Sequence, residues 1–157
     1  MLKYTICFIK KNDDILMLNR ESAPWMGKWN GVGGKLNKDE TPKECILREV
    51  KEETGMKLLN EDVIYKGNVT WEVDHSRTGG MYVFMAELKN TYDYRTPVKK
   101  AEGILDWKKI DWLLNPENTG VANVKYFLEN MLFEQGTYDY QFVYEGGEVK
   151  QFMSIPL

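Results

Sequence analysis

Residues 34–56 read GKLNKDETPKECILREVKEETGM, and this stretch carries the clearest structural signals in the chain. A Thr-x-x-Glu pattern begins at Thr41, as in a helix capping box, and Pro42 suits the first helical position because an N–H there has no helical partner. Gly55 tolerates the left-handed backbone that follows many helix ends. The stretch therefore predicts a helix from about Pro42 to about Thr54.

Three carboxylates share one face of this predicted helix. Glu49, Glu52 and Glu53 stand three and four residues apart, so they fall within an arc of roughly 100°. A solvated helix face is the competing interpretation, but like charges at these spacings cost roughly 0.2 to 0.5 kcal/mol per pair. Oxygen ligands without histidine or thiolate suit Mg²⁺ or Mn²⁺ rather than zinc. The spacing therefore favours a divalent-cation site.

The rest of the chain predicts a mixed α/β domain. A second helix is predicted over residues 121–134, where apolar residues recur at three- and four-residue spacing. Short apolar runs predict strands at 5–9, 15–19, 63–73, 81–88, 104–110, 138–144 and 149–155. Strands mixed with two helices favour a single domain over residues 1–157, an α/β/α sandwich with a mixed sheet.

Composition excludes several classes of function. The net charge is −3 and the pI about 5.3, so no broad basic field favours a polynucleotide partner. No stretch reaches the roughly 20 apolar residues of a membrane span, and the N-terminus lacks a signal-peptide pattern. Cys7 and Cys45 are far apart and read as reduced thiols. We therefore expect a cytoplasmic protein with a small-molecule substrate.

The stretch also resembles a known motif. Gly34, then Glu40 after five residues, then REVKEETGM from Arg48 to Met56 after seven more is similar to the Nudix box at every defining position. The resemblance implies an α/β/α sandwich that hydrolyses nucleoside diphosphates linked to another group, with divalent cations as cofactors. These expectations agree with the fold predicted above.

The resemblance also implies roles for individual residues. Glu52 and Glu53 are the implied principal metal ligands, with the carbonyl of Gly33 or Gly34 as a further ligand. Glu49 is the implied metal-linked carboxylate and a general-base candidate. The implied supporting residues are Arg48, which orients Glu49, Glu40, a supporting acid, and Glu102, an acid outside the box. The choice of general base between Glu49 and Glu102 stays open.

More loosely, most of the chain is similar to the MutT-like oxidised-purine nucleoside triphosphatases. By this resemblance Asn30 reads the purine, and Arg20 and Lys35 are candidates for holding phosphates, with a surface-charge role as the alternative. Trp25, Trp29 and Trp71 are either base-stacking or core residues. The full set of expected substrate-binding residues is Thr5, Arg20, Asn30, Gly33, Gly34, Lys35 and Asn123. Asn123 stands where such relatives often carry acids, which leaves base recognition open.

The leading hypothesis is hydrolysis of a purine nucleoside triphosphate, such as 8-oxo-dGTP, to the monophosphate and pyrophosphate with Mg²⁺, or alternatively Mn²⁺. One alternative is another Nudix substrate, such as ADP-ribose, a dinucleoside polyphosphate or capped RNA. A second is a nucleotide-binding regulator without catalysis, against which the three box carboxylates Glu49, Glu52 and Glu53 argue. The sequence does not determine the oligomeric state or the number of metal ions.

Overall fold

A computed structural model describes all residues, 1–157. Its strands and helices are β1 (Tyr4–Lys11), β2 (Asp14–Arg20), β3 (Trp29–Asn30), β4 (Val32–Lys35), α1 (Pro42–Thr54), β5 (Val63–Val73), β6 (Arg77–Leu88), β7 (Val98–Lys100), β8 (Gly103–Lys109), α2 (Ile110–Leu114), α3 (Leu128–Phe133), β9 (Tyr138–Glu145) and β10 (Glu148–Pro156). Short 3₁₀ turns occupy Asn60–Asp62 and Asn123–Tyr126. No helix is long and apolar enough to cross a membrane.

All ten strands join one mixed sheet. Its main path runs β10-β9-β5-β6-β1-β2-β8-β7, with β3 paired to β2 and β4 paired to β1. The β1–β6 and β5–β9 pairs are parallel, and the other pairs are antiparallel. Because β4 pairs with the first half of β1, the glycine-rich segment before α1 is held against the centre of the sheet.

The sheet is covered on both faces. Helix α1 packs Ile46 and Val50 onto one face, together with buried side chains such as Cys7 and Leu16. The other face packs against α2, α3 and the turn before α3, with Phe127 at the centre of an aromatic group that includes Tyr140 and Phe142. Burying side chains of this size contributes roughly 1.5–3 kcal/mol each. The predicted α/β/α arrangement with a mixed sheet is confirmed.

Helix α1 has the predicted bounds for the predicted reasons. The hydroxyl of Thr41 accepts from the Glu44 N–H at 3.1 Å, and the Glu44 carboxylate accepts from the Thr41 N–H at 2.9 Å. Gly55 ends the helix with φ of 83°. These caps fix where α1 starts, and so which way its carboxylates face.

The helix predicted over residues 121–134 is wrong as a single element. Val121 instead pairs with Trp29 in a β-bridge, Asn123–Tyr126 forms a 3₁₀ turn, and only Leu128–Phe133 is α-helical. The apolar spacing reflected burial, and a turn followed by a short helix buries the same side chains. The strand predicted at 104–110 ends at Lys109, and Ile110 begins α2. Strands β3, β4 and β7 were not predicted.

Candidate active site

The first part of the site is the glycine segment of β4, which crosses beside β1 and under α1. At Gly33 an added Cβ would lie 2.8 Å from the Ile6 Cα, and at Gly34 it would collide with the Glu49 carboxylate. Glycine is therefore required at Gly33, where the obstacle is backbone, whereas a side chain at Gly34 would displace the Glu49 carboxylate. The approach brings the backbone of residues 33 and 34 to the acidic face of α1.

Arg48 makes most of the hydrogen bonds on this acidic face. Its guanidinium donates to both carboxylate oxygens of Glu40, at 2.7 and 2.9 Å, and to Glu49 at 2.7 Å. It also reaches Glu52 at 3.3 Å and the Lys35 carbonyl at 3.0 Å. A planar, fork-shaped cation suits such bidentate contacts. Arg48 therefore ties α1 to the preceding loop and holds the Glu49 carboxylate in place.

The charges of Glu40 and Arg48 stabilise each other. The hydrogen bond from Arg48 lowers the pKa of Glu40 to about 2, and the contact with Glu40 in turn raises the pKa of Arg48. Both side chains are largely shielded from solvent. The Glu40–Arg48 pair therefore stays ionised throughout the physiological range and acts as a rigid anchor for the site.

Glu53 is the most constrained of the box carboxylates. It is 6% exposed, its Oε1 accepts from the Gly33 N–H at 3.1 Å, and its Oε2 is buried without any hydrogen-bond partner. Burial, followed by the nearby charge of Glu102, raises its pKa to about 8, and Glu49 adds to the shift. A buried carboxylate oxygen with no partner, facing two further carboxylates, is an arrangement that a cation would stabilise.

The three box carboxylates do not converge on one point. Glu52 lies toward solvent on Arg48, and no three His, Cys, Asp or Glu side chains of the chain are close enough together to hold a metal ion as they stand. The side chain of Glu52 is 59% exposed, and an exposed pair at four-residue spacing is worth only roughly 0.3–0.5 kcal/mol. Glu52 can therefore leave Arg48 at little cost.

Glu102 lies beside the box although it is distant in sequence. It stands on the turn between β7 and β8, where its carbonyl accepts from the Glu21 N–H at 3.1 Å and its carboxylate is 3.8 Å from Arg20. Its charge acts on Glu53. The structure thus brings the predicted acid from outside the box to the box, and pairs Arg20 with it rather than leaving Arg20 free.

The donor set fits a hard divalent cation. It offers only oxygen ligands: the carboxylates of Glu49, Glu52, Glu53 and Glu102 and a backbone carbonyl of Gly33 or Gly34. The unpartnered Oε2 of Glu53 is the observation that supports this fit, since no group of the protein neutralises it. These residues are the ones that would hold the cation.

Two asparagines, Asn30 and Asn123, are expected to contact the base. Asn30 has a free hydrogen-bond donor, and Asn123 has a free acceptor. The Asn30 amide oxygen accepts from the Gly31 N–H at 2.8 Å, which leaves its NH₂ group for a ligand. The Asn123 NH₂ group donates to the Tyr144 hydroxyl at 2.9 Å, which leaves its oxygen. Hydrogen bonds from Ala122 to Trp29 and from Trp29 to Gly120 hold the two segments side by side. One donor and one acceptor therefore face this region.

Thr5 lies buried between β4 and α1. Its side chain belongs to a residue that is 3% exposed, and its hydroxyl lies 3.3 Å from both the Gly34 carbonyl and Cys45 Sγ. Thr5 therefore faces α1, and its expected substrate contact stays a prediction. Lys35 carries an exposed side chain at the end of β4, where a phosphate contact is open to it.

The tryptophans have separate surroundings. The Lys108 ammonium covers Trp29 at 4.4 Å from the ring centroid, and Trp29 also packs on the core, which favours the core interpretation. Trp25 lies in the loop between β2 and β3 with φ of 66°. Trp71 lines an open cavity of about 990 Å³ together with Tyr4, Phe142 and Arg77.

Tyr4, which lines this cavity, pairs with Lys35 across the β1–β4 ladder. Phe142 and Arg77 also line the cavity, and neither was among the residues expected from the sequence. A signal for Phe142 was present: Tyr138, Tyr140, Phe142 and Tyr144 alternate along one strand and so share one face. No signal in the sequence places Arg77 there.

Comparison with known proteins adds the family. The NUDIX domain family matches residues 2–131. An uncharacterised Nudix hydrolase, YvcI, of Bacillus subtilis is 27% identical over 147 residues, covering 90% of this chain and 86% of the relative. The mouse oxidized purine nucleoside triphosphate hydrolase is 27% identical over 110 residues, covering 69% of this chain and 66% of the relative.

Solved structures agree on the fold. The MutT protein of Bacillus halodurans superposes with a TM-score of 0.80 at 23% identity, covering 98% of this chain and 97% of that one. Further relatives carry the names NAD-capped RNA hydrolase and ADP-ribose pyrophosphatase, so the relatives do not agree on one substrate. Since the family match spans most of the chain and includes the box on α1, the protein belongs to the Nudix family and is a hydrolase of phosphorus-containing anhydrides.

Proposed function

We propose that this Nudix hydrolase converts a purine nucleoside triphosphate, with an oxidised purine such as 8-oxo-dGTP as the leading candidate, to the monophosphate and pyrophosphate with Mg²⁺. The observation that carries the reaction is the buried, unpartnered Oε2 of Glu53 beside Glu49 and Glu102. When bound, Mg²⁺ neutralises phosphate charge and lowers the pKa of a coordinated water. Mn²⁺ has the same ligand preference and is the alternative cofactor.

We assign the following roles to the residues of the chain. Glu53 and Glu52 hold the cation, and the carbonyl of Gly33 or Gly34 is a further ligand. Arg48 keeps the Glu49 carboxylate at the edge of the site, 2.7 Å from its own guanidinium. A carboxylate there can take the proton from the attacking water, and Glu102 is the second candidate for this step.

Base binding is assigned to the region between Asn30 and Asn123 and to the aromatic cavity lined by Trp71. The free NH₂ group of Asn30 and the free oxygen of Asn123 suit a base edge that offers an acceptor beside a donor. Guanine-type and adenine-type edges both do so. Trp71 supplies a flat apolar surface on which a base can stack. Lys35 is the candidate for a phosphate contact.

The test is a turnover screen with Mg²⁺ on canonical and oxidised purine triphosphates, ADP-ribose, a dinucleoside polyphosphate and NAD-capped RNA. Pyrophosphate and the monophosphate are the expected products, whereas orthophosphate or release from ADP-ribose alone would contradict the proposal. The E53Q variant should lose roughly a hundredfold or more of the activity. The E117Q variant makes the same charge change on an exposed side chain far from the box in sequence and should keep it.

A comparison of E49Q with E102Q tests the general base. The variant that removes the base should flatten the acidic limb of the pH profile of kcat, while the other variant should keep that limb. Nucleotide binding without turnover in the wild-type protein would instead favour the regulator hypothesis.

A further inference from the structure

A lysine of β8 lies on the core-facing side of its strand. Lys108 stands directly opposite the buried Ile15 in the β2–β8 ladder, so its side chain leaves the sheet on the face that packs against α2 and α3. Only 24% of this side chain is exposed. A charge in such a position needs partners, and the structure supplies three of them.

The partners of Lys108 are one carboxylate and two indole rings. The ammonium is 3.3 Å from Asp106, whose other carboxylate oxygen accepts from the Thr96 hydroxyl at 2.6 Å. It also lies 4.4 Å from the centroid of the Trp29 ring and 5.2 Å from that of Trp112. A cation within about 6 Å of a ring centroid is attracted by the negative face of the ring. Lys108 therefore restrains the Trp29 indole.

The backbone of Trp29 joins the two segments that carry the asparagines of the proposed base site. Its N–H donates to the Gly120 carbonyl at 2.8 Å, and its carbonyl accepts from the Ala122 N–H at 3.0 Å. We call this pair of hydrogen bonds the Trp29 bridge. Asn30 follows Trp29 in the chain, and Asn123 follows Ala122. The position of Trp29 therefore sets the position of Asn30 relative to Asn123.

We propose that Lys108 is a positioning residue for purine binding, which fixes the Trp29 indole and, through the Trp29 bridge, the spacing of Asn30 and Asn123. Residues 115–122 contain no helix or strand, so the chain before Asn123 depends on contacts such as this bridge for its position. The proposal rests on the proposed base site, and it gives Lys108 no contact with the nucleotide.

The first experiment measures amide hydrogen exchange by NMR in the full chain without nucleotide. K108M keeps the length of the side chain but removes its charge, and the Trp29 and Ala122 amides should exchange roughly three- to tenfold faster. K108R keeps a cation over the ring and should stay within about twofold of the wild type. K109M removes the neighbouring charge, which pairs with Asp14 at 3.0 Å, and should leave both amides unchanged.

Kinetics give the second readout. K108M should raise the KM of the purine triphosphate roughly three- to tenfold and keep kcat within about twofold, because lost binding that the ground and transition states share changes KM alone. A phosphate contact by Lys108 would also raise KM, but it would leave the two amides of the nucleotide-free protein unchanged. A packing role alone would accelerate exchange throughout the sheet rather than at the Trp29 bridge.

Four results would overturn the inference: bridge amides of K108M that exchange as in the wild type, K108R altered as much as K108M, equal acceleration across the whole sheet, or an unchanged KM in K108M. If K108M does not fold, D106N takes its place, since it removes the charge that holds the ammonium. It should also accelerate exchange at the bridge, and unchanged amides in D106N would contradict the role of Lys108. Failure to hydrolyse purine triphosphates would refute the proposed substrate, while the exchange measurement would still decide whether Lys108 fixes the bridge.

Discussion

The carboxylate of Glu49 lies directly against Gly34, so that a Cβ at Gly34 would stand 2.5 Å from Oε1 and 2.6 Å from Oε2. Gly34, the first residue of the box, and Glu49 are therefore in direct contact. Because the obstacle is the end of a flexible side chain, a larger residue would displace Glu49 rather than unfold the strand.

The G34A variant tests this relationship. We expect turnover to fall about a hundredfold, since misplacing a reacting group by about 1 Å costs that much. The Tm should change little. Gly55 provides the matched control: no atom lies within 4 Å of an added Cβ, but its φ is 83°. G55A should lose about 1 kcal/mol of stability and keep the activity of the folded protein. The reverse pattern in the two variants would contradict the contact.

Arg48 gives a second prediction, because its contacts need a planar guanidinium. In R48K one ammonium cannot reproduce the two bonds to Glu40 together with those to Glu49 and the Lys35 carbonyl. We expect a loss of roughly 1–3 kcal/mol in urea unfolding and a fall in kcat of at least about tenfold. K51R, on an exposed position of the same helix, should be neutral. A stable and fully active R48K would show that charge alone suffices.

Some of these features followed from sequence and others did not, for physical reasons. The bounds of α1 were predictable because Thr41, Glu44 and Gly55 determine them locally. The segment after Val121 was not predictable. Its apolar spacing fits a helix, but in the folded protein it forms a β-bridge and a 3₁₀ turn. Strands β3 and β4 form because they pair with β2 and β1. Their glycine-rich sequence carries no local signal for this pairing.

The candidate site shows the same division. The acidic arc on α1 depends on helical geometry alone and was predictable. The direction of the Thr5 side chain depends on the register of β1 with β4, so its contact with Cys45 on α1 could not be predicted from the sequence. The proximity of Glu53 to Glu102 depends on the packing of loops that are far apart in sequence.

Glu53 gives a prediction about pH and metal. Burial raises its pKa to about 8, above the 4.5 of an ordinary glutamate, so the folded state holds this proton more tightly than the unfolded state. The wild-type protein without metal should therefore lose stability as pH rises from about 4.5 to about 8. E53Q removes this loss and should be more stable than wild type at pH 8 by about 1 kcal/mol or more.

Mg²⁺ supplies the second half of this test. It should raise the Tm of the wild-type protein at pH 8 and have little effect on E53Q, because a ligand stabilises the state that binds it. E117Q serves as the charge control in both measurements. Equal pH dependence of wild type and E53Q without metal would show that the Glu53 carboxylate is solvated or neutralised by another group.

The last prediction concerns His75, the only histidine of the chain, on the turn between β5 and β6. Its Nε2 lies 2.7 Å from Glu145 Oε1, and this hydrogen bond raises the pKa of His75 above 6.5. The bond favours the imidazolium, so its contribution to stability is complete below the unfolded pKa and is lost as pH rises through the folded pKa. Because the chain has a single imidazole, its NMR titration is unambiguous. E145Q should lower the pKa toward 6.5, while E148Q, whose carboxylate pairs with Lys150, should leave it unchanged. Catalysis should not respond to either variant, since this turn contributes no group to the box; a loss of turnover in H75A would place the histidine in the reaction after all.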